Sequence, residues 1–234
     1  MKNLSLFCAV TFVAASVCVW AADSPKDEVV NAAKKLGDEP NYSWKTTIVV
    51  PESAQFKPGP SEGKTEKDGA MHVKSSFGDR TSETVVKGSK IAMTNMEGDW
   101  QSISEVEQDQ GFGQFRARMA RNLKTPADQA AELAKNTKEL KKDNDAYSGE
   151  LTEEGAKIAF RGRGGGDGPS VSNAKGSVKF WVKDGELSKY EFKVSGSMNF
   201  NGNDMDIDRT TTIEIKDVGN TKVTIPDGAK KKLS

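Results

Sequence analysis

The amino-acid sequence predicts an α+β fold. The expected architecture is a strongly curved antiparallel sheet, an open or half β-barrel of about ten strands, with helices covering its concave face. Three observations predict it. Long segments alternate apolar and polar residues with a period of two; from Tyr190 the apolar side carries Tyr190, Phe192, Val194, Gly196, Met198 and Phe200. Asp184-Gly185 and Asn201-Gly202 separate such segments, and these dipeptides are strong short-range hairpin signals. Helical patterns are one-sided and never alternate strand by strand with the sheet segments, which disfavours a parallel nucleotide-binding sheet.

The elements follow in order. Asp27 to Leu36 has Val29, Val30, Ala33 and Leu36 on one helical face, and Gly37 ends it. Tyr42 to Val50 alternates as a strand with Tyr42, Trp44, Thr46, Ile48 and Val50 on one side; Pro51, Pro58 and Pro60 then mark a loop. Asp68-Gly69 precedes a strand carrying Met71, Val73, Ser75 and Phe77 on one face. Lys87-Gly88-Ser89 separates Thr84–Val86 from Ile91–Asn95, and Glu97-Gly98-Asp99 leads into a short strand at Trp100. The middle is helical. Phe112, Phe115, Met119 and Leu123 keep a three-to-four spacing, and Thr125-Pro126 starts a second helix with Asp128 where a capping acid belongs. Its stripe is Ala130, Leu133, Ala134, Thr137 and Leu140. Strands are expected again over Ala146–Thr152, Ala156–Arg161, Ser177–Lys183, Glu186–Phe200, Asn203–Lys216 and Thr221–Ile225, with a glycine-rich loop from Gly162 to Asn173.

The chain divides into a leader, residues 1–21, and a single domain, residues 22–234. Lys2 supplies a positive start, Leu4 to Trp20 is almost wholly apolar, and Val19-Trp20-Ala21 has the small residues of a cleavage site. This is the pattern of a cleavable secretory signal peptide, with a retained N-terminal anchor as the alternative. Export to the periplasm or the extracellular space is therefore expected, with no transmembrane span in the mature chain. Both cysteines, Cys8 and Cys18, lie in the leader, so the mature chain has no disulfide, thiol nucleophile or thiolate metal site. Charge is balanced at 34 basic and 34 acidic residues, which gives no footprint for nucleic acid.

Several residues resemble the periplasmic lipoprotein-carrier superfamily, the LolA-like group with its LppX-like lipid-binding relatives. The matching pieces are an N-terminal helix followed by Tyr42-Ser43-Trp44, the short Gly98-Asp99-Trp100-Gln101 strand, and the C-terminal stretch. That stretch comprises Lys179-Phe180-Trp181-Val182, Asp184-Gly185-Glu186-Leu187, Thr210-Thr211-Thr212-Ile213 and the run from Gly219 to Pro226. The resemblance implies an incomplete barrel whose apolar cavity is closed by helices, in a carrier or binder of acyl chains that is not an enzyme.

Catalytic and metal motifs are weak. His72 is the single histidine; it alternates with Met71 and Val73 and should face solvent, so a histidine relay or cluster has no partners. Asn201, Asn203, Asp204, Asp206 and Asp208 offer oxygen ligands without a calcium-loop spacing, and Asp206 and Asp208 read as the wet face of a strand whose other face is Ile207, Arg209, Thr211 and Ile213. Arg161-Gly162-Arg163-Gly164 lacks the ending of a phosphate loop and reads as a flexible connection. Adjacent Glu153 and Glu154 make no acid–base couple. No cofactor is implied, and the chain is expected not to be an enzyme.

The candidate ligand-binding residues are apolar: Tyr42, Trp44, Met71, Met93, Phe112, Phe115, Met119, Phe180, Tyr190, Phe192, Met198 and Phe200. Methionine and aromatic side chains adapt to irregular ligands such as acyl chains. The same residues suit ordinary packing between sheet and helices. Two functions follow. One is an exported binding protein holding a lipid, another apolar ligand or a lipoprotein acyl chain in a half-barrel cavity. The other is a non-enzymatic envelope module, solidly packed, that binds another envelope protein.

Overall fold

The computed structural model describes residues 24–54, 57–109, 112–161, 171–200 and 203–234. The expected leader, most of the glycine-rich loop and the Asn201-Gly202 turn lie outside the described residues. Among those described, eleven strands form one antiparallel sheet, accompanied by six helices.

The chain opens with α1 (Pro25–Asp38), capped by Ser24, whose hydroxyl accepts from the Asp27 amide. Six strands follow as a meander: β1 (Asn41–Val49), β2 (Ser61–Glu66), β3 (Ala70–Phe77), β4 (Arg80–Lys87), β5 (Lys90–Thr94) and β6 (Trp100–Ser102). Three helices come next: α2 (Ile103–Gln108), α3 (Phe112–Arg121) and α4 (Pro126–Lys135). The short strands β7 (Lys141–Asp143) and β8 (Ala146–Glu150) lead to α5 (Glu153–Arg161). The long strands β9 (Val171–Lys183), β10 (Glu186–Phe200) and β11 (Asn203–Lys216) complete the sheet, and α6 (Asp227–Lys232) ends the chain.

The sheet order is β6-β5-β4-β3-β2-β1-β11-β10-β9-β8-β7, so β11 returns to pair with β1 at the centre. The sheet does not close. This is the curved, open half-barrel expected of the sequence. Register aligns one apolar face across the strands. Trp44 stands opposite Gly63 and Ile215, Tyr190 opposite Phe180 and Ile213, and Tyr147 opposite Phe180. A single core unites this face with α1, α4 and α5. Helices α2 and α3 cover the same face at β5 through Ile103, Val106, Ala117 and Ala120. Helix α6 covers the opposite face, where Ala229 and Leu233 pack on Val85 and Ala92.

Three expectations are corrected. Ala156–Arg161 is not a strand but the body of α5; Glu153 and Glu154 favour the positive end of a helix, and Ala156, Ala159 and Phe160 share its buried stripe. The expected proline-rich loop from Pro51 to Lys67 contains β2, whose inward positions Gly63 and Thr65 carry no apolar signal. The segment Thr221–Ile225 forms no strand, because its amides go to side chains: Thr221 N donates to Asn41 Oδ1 and Val223 N to Glu66 Oε1.

Candidate functional site

The inner face has a sealed end and an open end. At the sealed end Tyr42, Trp44, Met71, Phe180, Tyr190 and Phe192 are buried in the main core, and Met93 is buried in the smaller one under α2 and α3. Phe180 and Tyr190 stack at a centroid distance of 6.1 Å and have no exposed surface. Burial then falls along both long strands. On β11 it runs from buried Ile213 and Thr211, through half-buried Arg209 and Ile207, to Met205 at 49% exposure. On β10 it runs from buried Tyr190, Phe192 and Val194 to half-buried Gly196 and Met198. Val194, Gly196 and Met198 stand opposite Arg209, Ile207 and Met205, so the two gradients run side by side. Ile48 and Val171 are half-buried beside this open end.

Helix α3 extends the apolar surface. Phe115 (37% exposed) and Met119 (38%) are spaced by four on α3, so they form one ridge, and Leu123 follows just beyond its last turn. Leu123 packs against the main core, while Phe115 and Met119 run out into solvent. The side chains of Phe112 and Phe200 lie outside the described atoms.

The sealed end is fastened by polar bonds. Tyr190 Oη donates to Gln129 Oε1 of α4 at 2.7 Å, with both residues buried. The Ala127 amide of α4 donates to Tyr42 Oη at 3.4 Å. Tyr147 Oη and Lys142 Nζ both donate to Glu28 Oε2 of α1 at 2.6 Å. The Lys142 hydrogen bond, then that of Tyr147, holds the Glu28 carboxyl below the usual range. Burial, then the Glu28 bond, pushes the Tyr147 phenol up.

Arg209 interrupts the inner apolar row. Its Nη2 donates to the carbonyls of Ala159 at 3.0 Å and Phe160 at 2.6 Å, at the negative end of α5. Its Nε is buried without a hydrogen-bond partner among the described residues. Burial pulls its guanidinium below the ordinary value; an arginine nevertheless keeps its charge at physiological pH. Helix α5 can lie this close because of Gly196. A Cβ there would sit 3.0 Å from Ser172 O and 3.1 Å from Phe160 Cε2. Sequence reasoning placed Arg209 on the inner face without giving it a role; the available signal was a guanidinium in an otherwise uncharged row.

The remaining candidates lie elsewhere. His72 is on the outer face as expected, but shielded: its Nε2 lies 2.7 Å from Glu83 Oε2, and Glu83 Oε1 lies 3.3 Å from Lys74 Nζ. A cleft of about 590 Å³ also lies on the outer face, lined by Lys179, Glu191, Lys193 and the 138–141 segment among others. A smaller pocket of about 180 Å³ sits between the end of α1 and the β10–β11 edge. Among the described residues no group of three or more His, Cys, Asp or Glu could hold a metal ion, and no helix is long and apolar enough to cross a membrane.

Fold and site together define an open antiparallel half-barrel with an apolar inner face, helically sealed at one end. No family model and no curated protein matches the chain. Among solved structures the chain is similar to LprF from Mycobacterium bovis, at 11% identity and a TM-score of 0.46 over 88% of this chain and 97% of that one. It is similar to the lipoprotein LppX of Mycobacterium tuberculosis at 10% identity and a TM-score of 0.46, over 86% and 98% of the two chains. It is also similar to a LolA superfamily protein from Nitrosomonas europaea at 10% identity and a TM-score of 0.34, over 91% and 98%.

Proposed function

We propose that this chain is an exported, non-enzymatic binding protein that shelters the apolar tail of a lipid or a lipoprotein acyl chain at the open end of its half-barrel, after removal of residues 1–21. The observation that carries the reading is the burial gradient along β10 and β11. An inner face that was only a core would be covered along its length, whereas here Ile207 and Met198 are only half-buried and Met205 is 49% exposed. The α3 ridge of Phe115 and Met119 supplies further apolar contact. Of the twelve residues expected to bind ligand, Met198 is the accessible contact at the open end, and Phe115 and Met119 are accessible on α3. The buried aromatic positions at the sealed end form the floor. Each methylene taken from water contributes about 0.8 kcal/mol against an association cost of about 4–15 kcal/mol, so capture needs a tail covered over roughly ten carbons or more.

The test is mass spectrometry of an organic extract of the mature protein purified from envelope fractions. The reading expects co-purified lipid, lost when Met198 and Met205 are replaced by aspartate. Lipid-free protein that also takes up no added lipid overturns it. The second reading, an envelope protein-interaction module, is favoured by the tight packing of Trp44, Phe180 and Tyr190, which leaves no open space at the sealed end. A specific envelope partner captured equally by the wild type and by the aspartate variant supports it.

A further inference from the structure

The Arg209 guanidinium is the one charged group on the otherwise uncharged inner rows of β10 and β11 among the described residues. Register surrounds it with neutral neighbours. Val194 is opposite, Thr211 and Ile207 are the next inward positions on its own strand, and Ile48 lies opposite Thr211 on β1. No carboxylate forms an ion pair with it among the described residues, although Lys35, Lys67, Lys74, Arg121, Lys124, Lys142 and others each have one. A cation taken from water in low-dielectric surroundings is costly without a counter-charge. Two helix-end carbonyls meet only part of that cost, because they carry partial charge and engage Nη2 alone. Among the described residues the site is thus short of one negative charge, and its Nε donor is buried without a hydrogen-bond partner.

What lies beside the charge narrows the ligand. From Arg209, the inward positions Ile207 and Met205 lead to the open end, about 13 Å away at 3.3 Å per residue. Gly196 and Met198 line the neighbouring strand over the same distance. A cation at the inner end of an apolar track matches an amphiphile with an anionic head and one unbranched tail.

We propose that Arg209 anchors the head group of a long-chain carboxylate whose tail lies along Ile207, Met205 and Met198. This rests on the apolar-ligand reading above and adds to it the charge of the ligand. The carboxylate accepts a hydrogen bond from Nε while Nη2 keeps its hold on α5; because Nε is buried, the groups that cover it shift to admit the head group. A neutral lipid fills the same track without the charge-assisted bond.

Calorimetric titration of the lipid-stripped mature protein tests this with three probes below their aggregation concentrations: oleate, oleyl alcohol and acetate. The wild type should bind oleate at least about tenfold more tightly than oleyl alcohol, the least expected of a charge-assisted hydrogen bond in a shielded site. Arg209→Gln should bring that ratio close to one while changing oleyl alcohol affinity by less than about twofold. Arg209→Lys, which keeps the charge but loses the planar fork, should retain part of the preference. Should Arg209→Gln not fold, the wild-type ratio and the lysine variant still decide. Equal wild-type affinity for oleate and oleyl alcohol overturns the anchor and leaves the apolar-ligand reading standing. An unchanged preference in Arg209→Gln does the same. Acetate binding as tightly as oleate overturns the amphiphile in favour of a bare anion. If neither long-chain probe binds, the apolar-ligand reading itself falls.

Discussion

Replacing Gly63 by alanine should destabilise this protein, although in most strands the same change is favourable. Gly63 sits on the inward row of β2 directly opposite Trp44. A Cβ built at this position comes within 2.6 Å of Trp44 Cη2 and closer still to Cζ2 and Cε2. The tryptophan ring therefore lies across the β2 backbone, in the space that any side chain would occupy. Trp44 is 2% exposed and belongs to the main core. Alanine in place of a strand glycine would by itself gain about 0.5–1 kcal/mol in chain entropy. Against that stands displacement of the ring. An aromatic residue buries about 150–250 Å², so full expulsion would cost about 4–6 kcal/mol. Partial displacement into a close-packed core costs about 1–3 kcal/mol, occasionally more. The net expectation is a loss of about 1–2 kcal/mol. Urea denaturation followed by tryptophan emission measures both parts. The midpoint should fall, and native emission should shift to the red as Trp44 meets water, since Trp100 and Trp181 are already half-exposed. A variant as stable as the wild type, with unchanged emission, would refute the inferred position of the ring.

Three further outcomes follow from the same geometry. Tyr190→Phe strands Gln129 Oε1 in the core and should cost about 1–3 kcal/mol, while adding Gln129→Leu should cost much less than the sum of the single changes; a double-mutant cycle in urea measures the coupling. Alanine at Phe192 should cost about 3–5 kcal/mol and alanine at Met205 less than about 0.5 kcal/mol, so equal losses would contradict the burial gradient. Hydrogen bonds from Lys232, then from the Ser102 amide and hydroxyl, lower the Glu105 carboxyl to about 2. A folded value below the ordinary 4.5 means that its contribution is present above pH 4.5 and is lost as pH falls toward 2. Amide exchange in α6 should therefore quicken over that window, and Glu105→Gln should remove the pH dependence.

The long hairpin was legible in the sequence almost to the residue. Glu186–Phe200 and Asn203–Lys216 emerge as written because alternation and turn dipeptides agree there. Where local signals were missing or ambiguous, tertiary contacts decided. Strand β2 has no apolar residue facing inward, since Trp44 from the neighbouring strand fills the space over Gly63. Ala156, Ile158 and Phe160 alternate like a strand while Ala156, Ala159 and Phe160 fit a helix, and the acidic first turn of α5 was the deciding cue. The Ser102-to-Glu105 capping box that starts the six-residue α2 was also visible in the sequence as Ser-x-x-Glu. Thr221 and Val223 do point inward, as their spacing says, but Asn41 and Glu66 hold their amides from a great distance along the chain. For the site, the sequence grouped the aromatic and methionine positions on the inner face. It could not separate floor from mouth, because that distinction depends on where α5 and α4 come to rest. Arg209 drew no attention for a similar reason: its partners Ala159 and Phe160 lie some fifty residues earlier in the chain.

Under the proposed function, apolar ligands enter at the exposed end of β10 and β11. Because both cysteines lie at positions 8 and 18, protein lacking residues 1–21 admits single-cysteine labelling without background. An environment-sensitive fluorophore on Met205→Cys should shift to the blue and gain intensity when oleyl alcohol is added, whereas the same label on the outward Asp206→Cys should not respond. A silent label at 205 in protein that takes up the alcohol, or equal responses at 205 and 206, would contradict the account.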